Sequence, residues 1–172
     1  MLLWARSIGI LSFMCVVLSA CGFEPMYGST TTNAYGQAST ENKLSQVAID
    51  NIPNAEGQYL RNQLIDRFYR NGRPANTNYR LLVSPLTETE TNLDVTIESE
   101  NTRAQLRIDT QIQLMDGNGD IVLTRNIRAF NSFNVLGSQF TTIVSERDAR
   151  EAALNDIARQ IETQLVLYFG QK

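Results

Sequence analysis

The chain has 172 residues, with 15 Lys and Arg against 18 Asp and Glu, no histidine, and a formal net charge of −3. Without histidine, the Ser/His/Asp and Cys/His routes to an activated nucleophile are closed and the commonest transition-metal ligand is missing, so hydrolase chemistry is disfavoured. The excess of acid disfavours broad electrostatic capture of nucleic acid; an anionic partner would have to be met by a local group of arginines.

The N-terminus reads as an address. Arg6 supplies a positive n-region, and residues 8–18 (IGILSFMCVVL) form an apolar h-region that falls well short of the roughly 20 apolar residues of a membrane-spanning helix. Leu18-Ser19-Ala20-Cys21 then has the form of a lipobox: an aliphatic residue, two small residues that fit a peptidase cleft, and a thiol. A thiolate accepts a diacylglyceryl group as a thioether, and cleavage between Ala20 and Cys21 frees an α-amine for a further acyl chain such as palmitate. Each buried methylene contributes about 0.8 kcal/mol, so several chains hold firmly where one holds marginally. The expectation is a signal peptide over 1–20, lipid attachment at Cys21, and no cofactor or metal beyond those covalent chains. The alternative is a plain secretory signal cut at Ser19-Ala20, with Cys21 a coincidental free thiol.

Both cysteines are thereby spent, since Cys15 leaves with the signal and Cys21 is the anchor, so no disulfide is available. Removing residues 1–20 takes away only Arg6, which leaves 14 basic against 18 acidic residues, or −4. With 42% hydrophobic residues in the chain, about 130 residues suffice for one domain with its own core.

Residues 22–42 (GFEPMYGSTTTNAYGQASTEN) show no period of 2 or 3.6 and read as an extended or mobile tether, 21–42, ahead of a single domain over 43–172. Residues 43–52 (KLSQVAIDNI), with Val47 and Ile49 alternating and Pro53 as a stop, predict a first strand. Asn54 then caps a helix over 55–70, where Leu60, Leu64, Ile65 and Phe68 make one apolar stripe and Asn71-Gly72 with Pro74 ends it. Tyr79, Leu81 and Val83 alternate before Pro85, and Thr91, Leu93, Val95 and Ile97 alternate after it, which predicts one long strand with an edge or bulge at the proline.

The plainest strand runs from Arg103 to Leu114. Ala104, Leu106, Ile108, Ile112 and Leu114 share one face, and Arg103, Gln105, Arg107, Asp109, Gln111 and Gln113 share the other. Asp116-Gly117-Asn118-Gly119-Asp120 makes a turn into a return strand from Ile121 to about Val135. A calcium-loop reading of that turn is the weaker alternative to a hairpin turn, because the twelfth position, where a bidentate glutamate belongs, is Ile127. Ser145-Glu146-Arg147-Asp148 resembles a capping box, and Leu154, Ile157, Ile161, Leu165 and Tyr168 continue a long amphipathic helix to Gly170. The order βαβββα predicts an α+β fold: about four strands in a mostly antiparallel or mixed sheet, with two amphipathic helices packed on one face.

Three stretches carry a family resemblance: Leu18-Ser-Ala-Cys-Gly-Phe-Glu-Pro-Met-Tyr-Gly28, the strand Asn101-Thr-Arg-Ala-Gln-Leu on to Asp116, and Ser145-Glu-Arg-Asp-Ala-Arg150 followed by Ala153-Leu154-Asn-Asp-Ile157. On these the chain resembles the LPS-assembly lipoprotein LptE family in its alphaproteobacterial form. The resemblance implies a non-enzymatic, periplasm-facing outer-membrane lipoprotein. It would sit as a plug in the β-barrel protein LptD and help deliver lipopolysaccharide to the outer leaflet. Its partners would be that barrel, lipopolysaccharide, and the membrane through the anchor, with no nucleic acid. Because lipopolysaccharide carries phosphates, arginine forks are the expected ligands: Arg103 and Arg107 on one strand, and Arg125 and Arg128 on its neighbour. The same layout would also serve another periplasm-facing lipoprotein scaffold or an accessory subunit of a lipid transporter. A lipid-anchored hydrolase is the enzyme alternative, against the missing histidine and the lack of a paired-carboxylate signature.

Overall fold

Unbroken alternation over 104–114 demands a strand with one covered and one open face. In the structure, a computed structural model, it becomes the central strand of a mixed sheet. Residues 43–70, 72–74, 76–95, 101–135 and 138–171 are described; the expected signal peptide, Cys21, the expected tether and Ile97 lie outside them. The elements are β1 (Val47–Ile49), α1 (Asn54–Phe68), β2 (Tyr79–Val83), β3 (Thr87–Val95), β4 (Asn101–Asp116), β5 (Ile121–Asn134) and α2 (Gln139–Gly170).

β5 pairs antiparallel along one edge of β4, from Met115↔Ile121 to Arg103↔Asn134. The other edge of β4 is shared: β2 takes its C-terminal part (Tyr79↔Asp116 to Val83↔Ile112) and β3 its N-terminal part (Thr87↔Asp109 to Val95↔Asn101). β1 lies parallel beside β2, which makes the sheet mixed. The expected long strand interrupted at Pro85 is thus two strands in line. Proline has no N–H to give the ladder, so the break is stitched by its neighbours. The Ser84 N–H donates to the Gln111 carbonyl (2.8 Å), and the buried Thr110 hydroxyl donates to the Ser84 carbonyl (2.8 Å).

The apolar face of β4 (Ala104, Leu106, Ile108, Ile112, Leu114) is buried together with Leu123, Ile127, Ala129 and Phe133 of β5. Both helices cover this face. α2 contributes Leu154, Ile157, Ile161, Leu165 and Phe169, and its Ala149, Ala153 and Ala158 let it lie close; α1 adds Leu60, Leu64 and Phe68. Each fully buried Leu or Ile is worth about 1.5–3 kcal/mol.

Several expectations are corrected. The first strand is only three residues, because residues 43–45 are helical and turn the buried Leu44 inward. Pro53 takes the N-cap position of α1, and Asn54 is its first residue, at φ 67. Gln58 ties that entry down instead, its Nε2 donating to the Ile52 carbonyl (2.6 Å) and to Asn51 Oδ1 (2.7 Å). α2 starts at Gln139, six residues before Ser145, because nothing in Gln139–Val144 breaks a helix, and it buries Phe169 rather than Tyr168. In β3 the alternation is the reverse of the expected one: Glu88 and Glu90 stand opposite Ile108 and Leu106 on the helix side, and the ladder is irregular from Asn92 to Val95.

Gly57 is where α1 passes closest to the preceding segment. A Cβ there would stand 2.7 Å from Ile52 Cγ2 and 3.0 Å from the Ile52 carbonyl. Ile52 is fully buried and cannot retreat, so Gly57→Ala is expected to destabilise the domain by about 1–3 kcal/mol through overpacking, despite alanine's better helix propensity. Chemical denaturation of the two proteins side by side checks this.

Candidate functional site

Since both helices lie on one side, the other face of the sheet is open. Alternation fills it with polar groups: Gln105, Arg107, Asp109, Gln111 and Gln113 on β4, with Thr87, Thr89 and Thr91 facing them from β3 and Thr124, Asn126, Arg128 and Ser132 from β5.

At its centre Asp109 holds two cations. Arg128, directly opposite in register, donates from Nε to Asp109 Oδ1, and Arg107 Nε stands 2.8 Å from Asp109 Oδ2. Two guanidinium groups on one carboxylate leave the trio one net positive charge, with the arginine forks partly in solvent (42% and 57% exposed). The hydrogen bond from Arg128 is the main cause that holds the Asp109 carboxyl below its ordinary pKa; partial burial opposes it, and the charges of Arg128 and Arg107 add to it. Beside the trio, Gln111 Nε2 donates to Asn126 Oδ1 (3.1 Å). Where the edge breaks at Pro85 a hollow of about 510 Å³ opens, with Ser84, Pro85 and Thr87 on one wall, Asn126 and Arg128 on the other, and Asp109 and Gln111 between.

Of the four arginines expected to meet phosphate, Arg107 and Arg128 are brought together. Arg103 shares their face four residues along the strand, about 13 Å from Arg107 at ~3.3 Å per residue. Arg125 does not join them. It pairs with Ile112 and so belongs to the helix-side face, where it is exposed at the sheet edge and donates to the Thr124 carbonyl (2.9 Å). Register decides this: Arg125 and Arg128 are three residues apart, and a strand puts odd separations on opposite faces.

Two features escape sequence reading. Phe130 stands opposite Arg107 on the polar face, 52% exposed; its even spacing from Arg128 was the available signal. On the helix side, Arg150 Nε donates to both carboxylate oxygens of Glu88 (3.1 and 3.0 Å) and its Nη2 to Glu146 (2.6 Å). No spacing rule links residues 62 apart.

Among the described residues there is no group of three His, Cys, Asp or Glu side chains able to hold a metal, and no helix is long and apolar enough to cross a membrane. The polar face has donors and acceptors in ordered rows, which is equipment for recognition.

The architecture defines a class by fold alone: a small domain of one mixed sheet with two helices on one face. A candidate lipoprotein from Caulobacter crescentus CB15 shares the fold with a TM-score of 0.64 at 23% identity, over 80% of this chain and 100% of that one. A minor lipoprotein from Acinetobacter baumannii does so at 0.59 and 24%, over 72% and 92%. Lipoprotein B from Nitrosomonas europaea does so at 0.56 and 16%, over 71% and 82%. No curated protein matches the chain. The chain itself belongs to the LptE lipopolysaccharide-assembly family, which it matches over residues 44–165. This is a family of assembly lipoproteins and not of enzymes.

Asp109 gives a titration test. Because its pKa is depressed on folding, the stabilisation it brings is complete above the ordinary carboxylate pKa and is lost as pH falls through the depressed value. Carboxyl NMR is expected to show Asp109 titrating below the ordinary carboxylate range, and Arg128→Gln is expected to move its midpoint upward.

Proposed function

We propose that this chain is an outer-membrane lipoprotein, lipidated at Cys21 and facing the periplasm, that works with an LptD-type β-barrel as its plug and assembly partner in delivering lipopolysaccharide to the outer leaflet. Family membership over residues 44–165 is the observation that carries this reading, and the open sheet face supplies its physical logic. The lumen of an outer-membrane barrel is polar, so a plug needs an outer surface rich in amides, hydroxyls and paired charges, as β3, β4 and β5 present. Signal cleavage between Ala20 and Cys21 would leave the anchor on the sulfur, and the acyl chains would be the only attached groups.

Purifying the native protein by affinity and identifying what co-elutes tests the role. A large outer-membrane barrel in stoichiometric yield supports it; its consistent absence favours a free-standing scaffold or transporter subunit. Cys21→Ala is expected to release the protein from membranes of cells lacking the barrel.

Within this reading, Arg107 and Arg128 are the phosphate contacts, with Arg103 an outlying third. A charge-assisted hydrogen bond is worth about 1.5–3 kcal/mol. Arg107→Gln with Arg128→Gln is therefore expected to weaken lipopolysaccharide binding about tenfold or more at low salt, while Arg125→Gln leaves it unchanged. Unaltered affinity in the double variant would remove phosphate recognition from this face.

A further inference from the structure

The sheet ends in free margins at β1, β5 and β3, and the chain treats them differently. On β1 the carbonyls that point away from β2 are taken: the Tyr69 hydroxyl donates to the Val47 carbonyl (2.7 Å) and Arg61 Nη2 to the Ile49 carbonyl (3.3 Å). On β5 the Thr124 and Arg128 carbonyls and the Ser132 N–H are likewise engaged by side chains. β3 is the exception. Among the described residues, no side chain hydrogen-bonds to the backbone of Thr87–Asn92.

Register shows which groups β3 leaves over. The Gln111 carbonyl accepts from the Ser84 N–H, so the odd-numbered residues of β4 turn their backbone toward this margin. Thr87, Thr89 and Thr91, opposite Asp109, Arg107 and Gln105, therefore close the ladder, and Glu88, Glu90 and Asn92 point N–H and C=O away from the sheet. All three residues are exposed. The ladder is regular from Thr87 to Asn92, about 20 Å of strand, and shifts only beyond Asn92.

Charge selects what can pair there. Glu88 is spent on Arg150 (3.0 Å), but Glu90, beside it on the helix-side face, has no cation among the described residues. A second copy pairing β3 with β3 would set these glutamates against one another, which cross-strand pairing penalises. An extended segment with Lys or Arg at alternate positions would instead put a cation opposite Glu90. Its intervening side chains would lie beside Thr89 and Thr91 on the open face.

We propose that β3 is the docking edge for the barrel partner, an extended basic segment of which adds to the sheet as a further strand. Glu88, Glu90 and Asn92 supply the backbone hydrogen bonds and Glu90 the charge. The proposal rests on the partnership proposed above and names the part of this chain that makes it. The segment comes from a loop that reaches into the lumen, because the strands of a closed barrel have no edge to give. Backbone pairing would also fix the register of the plug in a way that polar contacts with the lumen wall do not.

The test uses the full chain purified with its barrel, and compares amide hydrogen exchange in this complex with that of the chain alone. Exchange at Glu88, Glu90 and Asn92 is expected to slow about tenfold or more in the complex, while Thr89 and Thr91, already in the ladder, change less. Glu90→Pro removes an outward N–H and no ladder bond. It is expected to leave the thermal unfolding of the free chain near that of the parent and to cut co-elution of the barrel about tenfold. Glu90→Lys is expected to weaken co-elution more than Glu90→Gln. A barrel that co-elutes while residues 88, 90 and 92 exchange as in the free chain overturns the docking edge and leaves the partnership standing. A chain that elutes without a barrel overturns the partnership, and the docking with it. Protection that follows the concentration of the free chain assigns the edge to a second copy and overturns the proposal. Should Glu90→Pro fail to fold, exchange in the parent complex still decides between these outcomes.

Discussion

The period of two along β4 is the constraint on which the molecule depends. The strand has neighbours on both edges, so its register is fixed from two sides, and over 104–114 its side chains sort into a buried row and a polar row. A slip of one residue would carry Leu106, Ile108 and Ile112 into water and Arg107 and Asp109 beneath the helices, at a cost far above the few kcal/mol by which domains are stable. Once that face is apolar, both helices must lie on it, and the opposite face is left open as a consequence.

Two charge clusters then set how α2 lies on this platform. Glu162, buried, is gripped by Arg67 of α1 (3.0 Å) and by Arg70 just past the end of that helix (3.5 Å). Some twelve residues earlier the signs are exchanged, with Arg150 held between Glu88 of β3 and Glu146 of its own helix. Burial alone would lower the pKa of Arg150, but the hydrogen bonds it donates to both carboxylates outweigh it, and the guanidinium is held charged. Such pairs add little net stability against the cost of desolvation. Hydrophobic contacts permit α2 to slide or roll; ion pairs to Arg67 and Arg70 at one site and to Glu88 of β3 at the other do not.

The open side of the sheet faces a different demand. An edge strand of 14 residues is a template for unwanted pairing, and backbone groups of β5 are occupied by side chains: Gln160 donates to the Arg128 carbonyl, Arg125 to the Thr124 carbonyl, and the Ser132 N–H to Asn131. The edge is thereby blunted while the face beside it stays available, with its charge gathered at Arg107, Asp109 and Arg128. What this side offers is a flat, ordered, polar surface on a chain of a lipopolysaccharide-assembly family.

By itself the sequence determined what depends on near neighbours. The alternation of 104–114, the turn at Asp116–Asp120, the stripe of Leu60, Leu64 and Phe68, and the interruption at Pro85 are all local, and they suffice for an α+β sheet with two helices on one side. Tertiary structure alone decided which distant groups meet. Asp109 found Arg128 because the length of one turn set the register; Arg125 was sent to the other face by the same register; and Glu88, which alternation had not marked as inward, was drawn toward Arg150 across the helix interface. The start of α2 was also beyond local reading, since Ser145 has the form of a cap and only the continuing backbone bonds of Gln139–Val144 override it. Periodicity is written into neighbouring residues, whereas pairing across strands and helices depends on where the whole chain closes.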